Sequence, residues 1–196
     1  MAKGTIYKVT FRRRLEGRTD YHLRKKLISS RKLRLVVRKT SKHINLQLVE
    51  AKIEGDRVLA HAGTTELKNY GWKGGTGNLP AAYLAGFLIG KRAVSKGLKF
   101  AILDLNGYVI TKENRLLATL KGVIDAGLEV PHDEKVLPKE ERISGSHIAK
   151  HAEQLQKEDP TKYQSYFSQY LSAKISPEKI VEHFQGVKGI ISKKVK

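Results

Sequence analysis

Apolar and polar residues alternate along residues 43–53, where Ile44, Leu46 and Leu48 are separated by Asn45 and Gln47. This is the period-two pattern of a strand with one buried face. Leu33 to Arg38 before it and Arg57 to His61 after it read as further strands, and Glu54-Gly55-Asp56 turns the chain between the last two. The first half therefore predicts an antiparallel meander. A short helix is predicted from Thr64 to Tyr70, and from residue 79 the pattern changes. Apolar residues run almost unbroken from Leu79 to Ile89, Asn78 is placed to act as N-cap, Pro80 falls in the first turn and Gly97 ends the run, which predicts a largely buried helix to Lys96. In that helix Ala82, Gly86 and Gly90 recur every four residues, which lets another backbone approach closely. Phe100 to Leu105 predicts a short strand, and a further helix runs from about Asn114 to Ala126 with Gly127 as terminator. Strand, helix, strand, helix implies crossovers, so the chain belongs to the α/β class, a mixed sheet with flanking helices.

Both ends differ from this centre. Phe11 to Gly17 has no apolar period and three adjacent arginines, so alone in water it is expected to be extended or mobile. Thr19 or Asp20 can cap a short helix to about Ser29, with Leu23 and Leu27 on one face and Arg24, Lys25 and Lys26 beside them. Beyond Pro131 the chain turns polar and helical in tone, with candidate helices from Ser146 to Gln156, from Pro160 to Leu171, and a third capped by Ser176 with Pro177 at its first position. The tail from Ser192 to Lys196 is expected to be loose. The expected division is a basic arm and short helix over 1–30, an α/β core over 31–142 and a helical C-terminal extension over 143–196.

Charge sharpens this picture. The 196 residues carry 38 Lys and Arg against 19 Asp and Glu, a formal net charge of +19. Residues 1–42 hold 15 of those bases but only Glu16 and Asp20 as acids, so the arm is the principal electrostatic footprint. Phosphates spaced along a nucleic acid are the fitting partner, because each cation that neutralises one releases condensed counterions. No apolar stretch reaches the roughly 18 to 20 residues a membrane span needs, and the polar start lacks a secretory signal, so an intracellular protein with no membrane partner is expected. The absence of cysteine excludes disulfides, thiolate zinc sites and a Cys nucleophile.

Arg12, Arg13, Arg14, Arg18, Tyr21, Arg24, Lys25 and Lys26 form the strongest constellation, since guanidinium forks pair bidentately with phosphates and a tyrosine can stack on a base. Arg31, Lys32, Arg34, Arg38, Lys39, Lys42 and His43 bracket one strand and would extend the same face, although lysines at strand edges also guard against aggregation. The absence of a helix-turn-helix, zinc finger or basic zipper favours RNA over duplex DNA. The glycine-rich loop from Gly71 to Gly77, with Trp72, Lys73 and the helix end at Asn78, could meet a phosphate, yet Gly77 is followed by Asn78 and Leu79, which is not a nucleotide-binding P-loop. His147 and His151, four apart on a predicted helix, read as surface histidines, and no metal site or cofactor is expected. Asp104 and Asp125 could only serve a magnesium-dependent nuclease if the fold brought them together.

Three segments carry a resemblance: Tyr7-Lys-Val-Thr-Phe-Arg-Arg-Arg-Leu-Glu-Gly-Arg-Thr-Asp-Tyr21, Arg34-Leu-Val-Val-Arg-Lys-Thr-Ser-Lys-His43, and Gly71-Trp-Lys-Gly-Gly-Thr-Gly-Asn-Leu-Pro-Ala-Ala-Tyr-Leu-Ala-Gly86. They resemble the archaeal and eukaryotic branch of the universal large-subunit ribosomal protein eighteen family, which binds 5S rRNA. The likeness continues through Val130-Pro-His132 and Val136-Leu-Pro138 to Ser146-His-Ile148 and fades after that. The resemblance implies a three-layer α/β domain of ribonuclease-H-like architecture used without catalysis. It also implies a cytoplasmic ribosomal protein that docks 5S rRNA to 23S rRNA in the central protuberance, beside large-subunit protein five and other proteins there, with no small-molecule substrate. On this resemblance Arg12, Arg13, Arg14, Arg18 and Tyr21 would carry much of the 5S contact.

Overall fold

The computed structural model describes residue 4 and residues 8–195; the start of the predicted arm, including Tyr7 of its motif, and Lys196 of the predicted loose tail lie outside the described residues. Among the described residues one sheet forms in the order β3-β2-β1-β4, from β1 Arg34–Lys39, β2 Ile44–Ala51, β3 Asp56–Gly63 and β4 Ile102–Asp104. The first three make the antiparallel meander, while β4 runs parallel to β1. A parallel return needs a crossover, and helix α3, Leu79–Ser95, supplies it between β3 and β4. The result is the mixed sheet that the alternation of elements predicts.

Register decides what each face does. Leu35 pairs with Leu48 and Val37 with Leu46, and Leu46 pairs in turn with Ala62, so one face is a row of buried apolar side chains. On the other face Arg34 stands opposite Val49, Val36 opposite Gln47 and Arg38 opposite Asn45. The parallel pairing adds Ile102 and Asp104 to that second face, beside Arg34 and Val36.

The apolar face packs on α3, and α3 packs on α4, Arg115–Asp125. Gly86 and Gly90, read from the sequence, and Gly122, which it did not single out, are the means. A Cβ at Gly86 would run into the Thr119 carbonyl, one at Gly122 into the Tyr83 carbonyl, and one at Gly90 would sit 2.5 Å from the Ala126 Cβ. Asn78 and Asn114 cap the two helices, each side-chain oxygen accepting a backbone N–H at 2.9 Å.

The N-terminal segment holds two short helices, α1 Arg12–Leu15 and α2 Tyr21–Ser29. The segment expected to be extended or mobile is thus a single helical turn, in which the N–H groups of Leu15 and Glu16 donate to the Phe11 and Arg12 carbonyls at 3.0 Å, with Arg12 reaching Glu16 and Arg13 donating to Thr19 across it. The C-terminal region is α5 Glu140–Ser144, α6 Ser146–Glu158, α7 Pro160–Tyr166, α8 Ser168–Ser172 and α9 Ile180–Lys194. Where one helix was predicted from Pro160 to Leu171, the chain breaks at Phe167, whose buried ring meets Tyr163, Tyr170 and His151. The segment expected as a helix from Thr64 is a 3₁₀ turn, Glu66–Tyr70, and Pro177 opens another, Pro177–Lys179, ahead of α9. The predicted loose tail is helical as far as Lys194, since Ile191 is buried and the Lys194 ammonium lies over the Tyr70 ring. Ile143, Ile180, Phe184, Val187 and Ile191 join the same apolar cluster as Leu35 and Val37. Among the described residues no helix is long and apolar enough to cross a membrane.

Candidate nucleic-acid interface

The arm is held in place by backbone hydrogen bonding. Asp20 caps α2, its carboxylate accepting from the N–H groups of His22 at 3.0 Å and Leu23 at 3.1 Å. Asn106, in the loop after β4, grips the chain on either side: its Oδ1 accepts from the Asp20 N–H at 3.1 Å and its Nδ2 donates to the Arg18 carbonyl at 2.8 Å. Asn106 itself has φ of 56°, a left-handed conformation that asparagine tolerates better than most residues. Sequence reasoning missed this residue; a lone Asn in a loop gives no periodic signal, and its role appears only once β4 delivers it beside the arm. Phe11 packs at a tilt on Tyr21, ring centroids 5.4 Å apart. Between the arm and the sheet lies an open cleft of about 440 Å³ that brings together Arg13, Arg18, Tyr21, Arg24 and Arg38.

Arg34, predicted to face RNA, belongs instead to the interior, being 1% exposed. Its guanidinium donates to Asp104 at 3.0 Å and to Asp56 at 2.7 Å. Arg38 closes on Asp104 at 3.1 Å from one side and Arg24 on Asp56 at 2.9 Å from the other, giving a chain of three arginines and two carboxylates. The reason is register: β1 turns Arg34 and Arg38 to the same face as Asp104 of β4. Burial opposes ionisation of Asp56, but the Arg34 and Arg24 guanidiniums outweigh it and hold the carboxyl below its ordinary range. Asp125 is elsewhere, bound to the Tyr83 hydroxyl at 2.7 Å and to Lys121 at 3.0 Å. The two carboxylates weighed for magnesium chemistry therefore do not converge, and Asp104 is committed to arginine. Among the described residues no cluster of three or more His, Asp or Glu is placed to hold a metal.

The remaining cations divide by partner. Arg12 and Arg18 share Glu16, in exposed pairs that contribute little energy and yield readily to a stronger anion. Arg13, Arg14, Lys25, Lys26, Arg31, Lys32, Lys39, Lys42 and Lys73 have no carboxylate within 4.0 Å among the described residues. Lys32 and Lys39 lay their ammonium groups over Phe100 and Tyr108, at 4.5 and 5.3 Å from the ring centroids.

The glycine loop is brought to the β1–β2 turn. Thr76 Oγ1 donates to the Lys42 carbonyl at 3.0 Å and shares a 3.0 Å hydrogen bond with His43 Nδ1, and Arg115 donates to the Gly77 carbonyl at 2.8 Å. Lys73 is exposed, but Trp72 is 1% exposed and stacks on His183, so the RNA contact expected of the Trp72 side chain is excluded by burial. Asn78 is half-buried, its oxygen used in capping and its amide donating to Tyr170.

A mixed α/β scaffold whose arm, β1–β2 turn and glycine loop carry cations without a carboxylate partner among the described residues has the surface of a protein that associates with a polyanion such as RNA. The family described as "Ribosomal large subunit proteins 60S L5, and 50S L18" matches residues 5–99, from the arm through α3. The protein named "Large ribosomal subunit protein uL18" of Caldivirga maquilingensis is 49% identical over 195 residues, covering 99% of this chain and 94% of its own length. The chain belongs to the uL18 family of large-subunit ribosomal proteins. It is a structural ribosomal protein, and association with ribosomal RNA follows from that membership. The likeness to the relative also runs through the C-terminal helices, where the motifs read from the sequence fade.

Proposed function

We propose that this protein binds 5S rRNA and docks it against 23S rRNA in the central protuberance, beside large-subunit protein five and its neighbours. In this reading residues 1–30 are the RNA-gripping arm, 31–142 the α/β core that carries it, and 143–196 a helical extension. The observation that carries the proposal is the sorting of charge: nine of the eighteen side chains predicted to meet RNA are cations free of carboxylates among the described residues, and they lie on or beside α1, α2, the β1–β2 turn and the glycine loop. Such a surface is an electrostatic footprint for phosphates, and its arm is held ready by Asn106 before any RNA arrives, which lowers the ordering cost of binding.

The test is the salt dependence of 5S rRNA binding. With Arg12, Arg13 and Arg14 replaced by Ala, the slope of log affinity against log salt should become shallower by roughly 2 to 3, about 0.7 to 0.9 for each phosphate that is no longer neutralised. A slope indistinguishable from wild type would remove the arm from the interface.

A further inference from the structure

Seven residues, Gly71 to Gly77, lead into α3, and four of them are glycine. Glycine loses more conformational freedom on ordering than any other residue, so such a loop holds one geometry only if it is tied down. This one is tied from two sides. On one side are the β1–β2 turn and Arg115 of α4, described above. On the other are two residues of the C-terminal helices, and both act on loop backbone. The Lys73 N–H donates to His183 Nε2 at 3.2 Å, and the Gly75 N–H donates to the Tyr170 hydroxyl oxygen at 3.4 Å. The same hydroxyl accepts from the Asn78 side chain at 3.3 Å, which joins the loop to the helix cap. His183 also stacks on Trp72, ring centroids 5.1 Å apart and 20° from parallel, while the Trp72 indole N–H donates to the Gly75 carbonyl at 3.2 Å.

Hydrogen bonds to backbone specify where the chain runs. Here they set the exposed Lys73 on a loop pressed against the turn that carries Lys42, and neither lysine has a carboxylate partner among the described residues. Tyr170 and His183 lie outside the residues that match the family description, 5–99, whereas the loop and the turn lie within them. The loop's order therefore depends on a part of the chain remote in sequence. We infer that the C-terminal extension is a latch: Tyr170 and His183 are positioning residues that hold the glycine loop against the β1–β2 turn, so that Lys73 and Lys42 form a second rRNA phosphate contact apart from the arm. The inference rests on the RNA-binding reading above.

The test uses the full chain with Tyr170→Phe and His183→Ala combined, and His183→Gln alone. Tyr170→Phe removes only the hydroxyl and keeps the ring that packs on Phe167, so circular dichroism should show the fold intact. Trp72 is the one tryptophan, and its emission reports the latch directly. In the double variant the Lys73 and Gly75 amides should exchange about tenfold faster, as removal of one net hydrogen bond from each implies, and Trp72 emission should move to the red. Binding to 5S and 23S rRNA transcripts should fall several-fold, with the salt slope shallower by about one or two. His183→Gln, which restores an acceptor for the Lys73 N–H, should keep that amide protected. Unchanged amide exchange in the double variant would overturn the latch. A loosened loop with unaltered rRNA affinity and slope would overturn its role in binding RNA. If the wild-type chain bound neither transcript, the 5S reading itself would fall, along with the phosphate contact assigned here, while exchange and emission would still decide whether the latch exists.

Discussion

A guanidinium in water is available to a phosphate, whereas one taken out of water must be answered by carboxylates at once. Arg34 is of the second kind. Desolvating it and its partners costs several kcal/mol per ion, which their attraction roughly offsets, so the network contributes mainly by fixing geometry. Removing one partner is a different matter. Replacing Asp56 by Ala leaves Arg34 and Arg24 each short of a charged hydrogen bond and should cost about 2–3 kcal/mol in urea denaturation at pH 7, at the lower end because the Asp56 side chain is 29% exposed. The effect should depend on pH in one direction. The folded-state pKa of Asp56 lies below the ordinary 3.8, so the wild-type contribution is present above that value and disappears as pH falls through the depressed one. The denaturation curves of wild type and variant should therefore be well separated near neutrality and converge in strong acid; a constant gap would show that Asp56 acts through packing. From sequence, Arg31 to His43 reads as one cationic stretch, because residue type says nothing about which face of β1 meets Asp104.

Among the elements, α3 and α4 show how much a local pattern can reveal. The small residues at four-residue spacing predict a close approach of backbones, and Gly86 meets Thr119 in that way. Helix propensity favours Ala over Gly by about 1 kcal/mol, so Gly86→Ala would be stabilising in an isolated helix. In this fold it should instead destabilise by about 1–3 kcal/mol or more, because the obstacle is a backbone carbonyl that cannot swing aside. A thermal melt decides between the two signs. Caps are legible for the same reason as the glycines: Asn78 and Asp20 act within a few residues of themselves. The break at Phe167 is not, since α7 and α8 are separated by aromatic packing against Tyr163, Tyr170 and His151 rather than by any glycine or proline at that point.

At the scale of the whole molecule, the C-terminal helices contribute to the core as well as to the glycine loop. Ile143, Ile180, Phe184, Val187 and Ile191 are buried in the cluster that also holds Leu84 and Leu88 of α3. Ending the chain after Lys139 should thus expose that cluster and cause the shortened protein to melt far earlier than the intact one or to aggregate. A fragment with an unchanged melting temperature would show that the extension is dispensable to the fold. The α/β class, the caps, the close helix pair, the cationic arm and the family are legible in the amino-acid order alone, because each is written in neighbouring residues or in short motifs. Which cations lack a carboxylate among the described residues, that Trp72 is interior, and what orders the glycine loop emerge only once the chain has folded. The physical reason is distance along the chain. Arg34 is neutralised by a carboxylate 70 residues away and Lys73 is held by a histidine 110 residues away, and partners so remote leave no periodic trace.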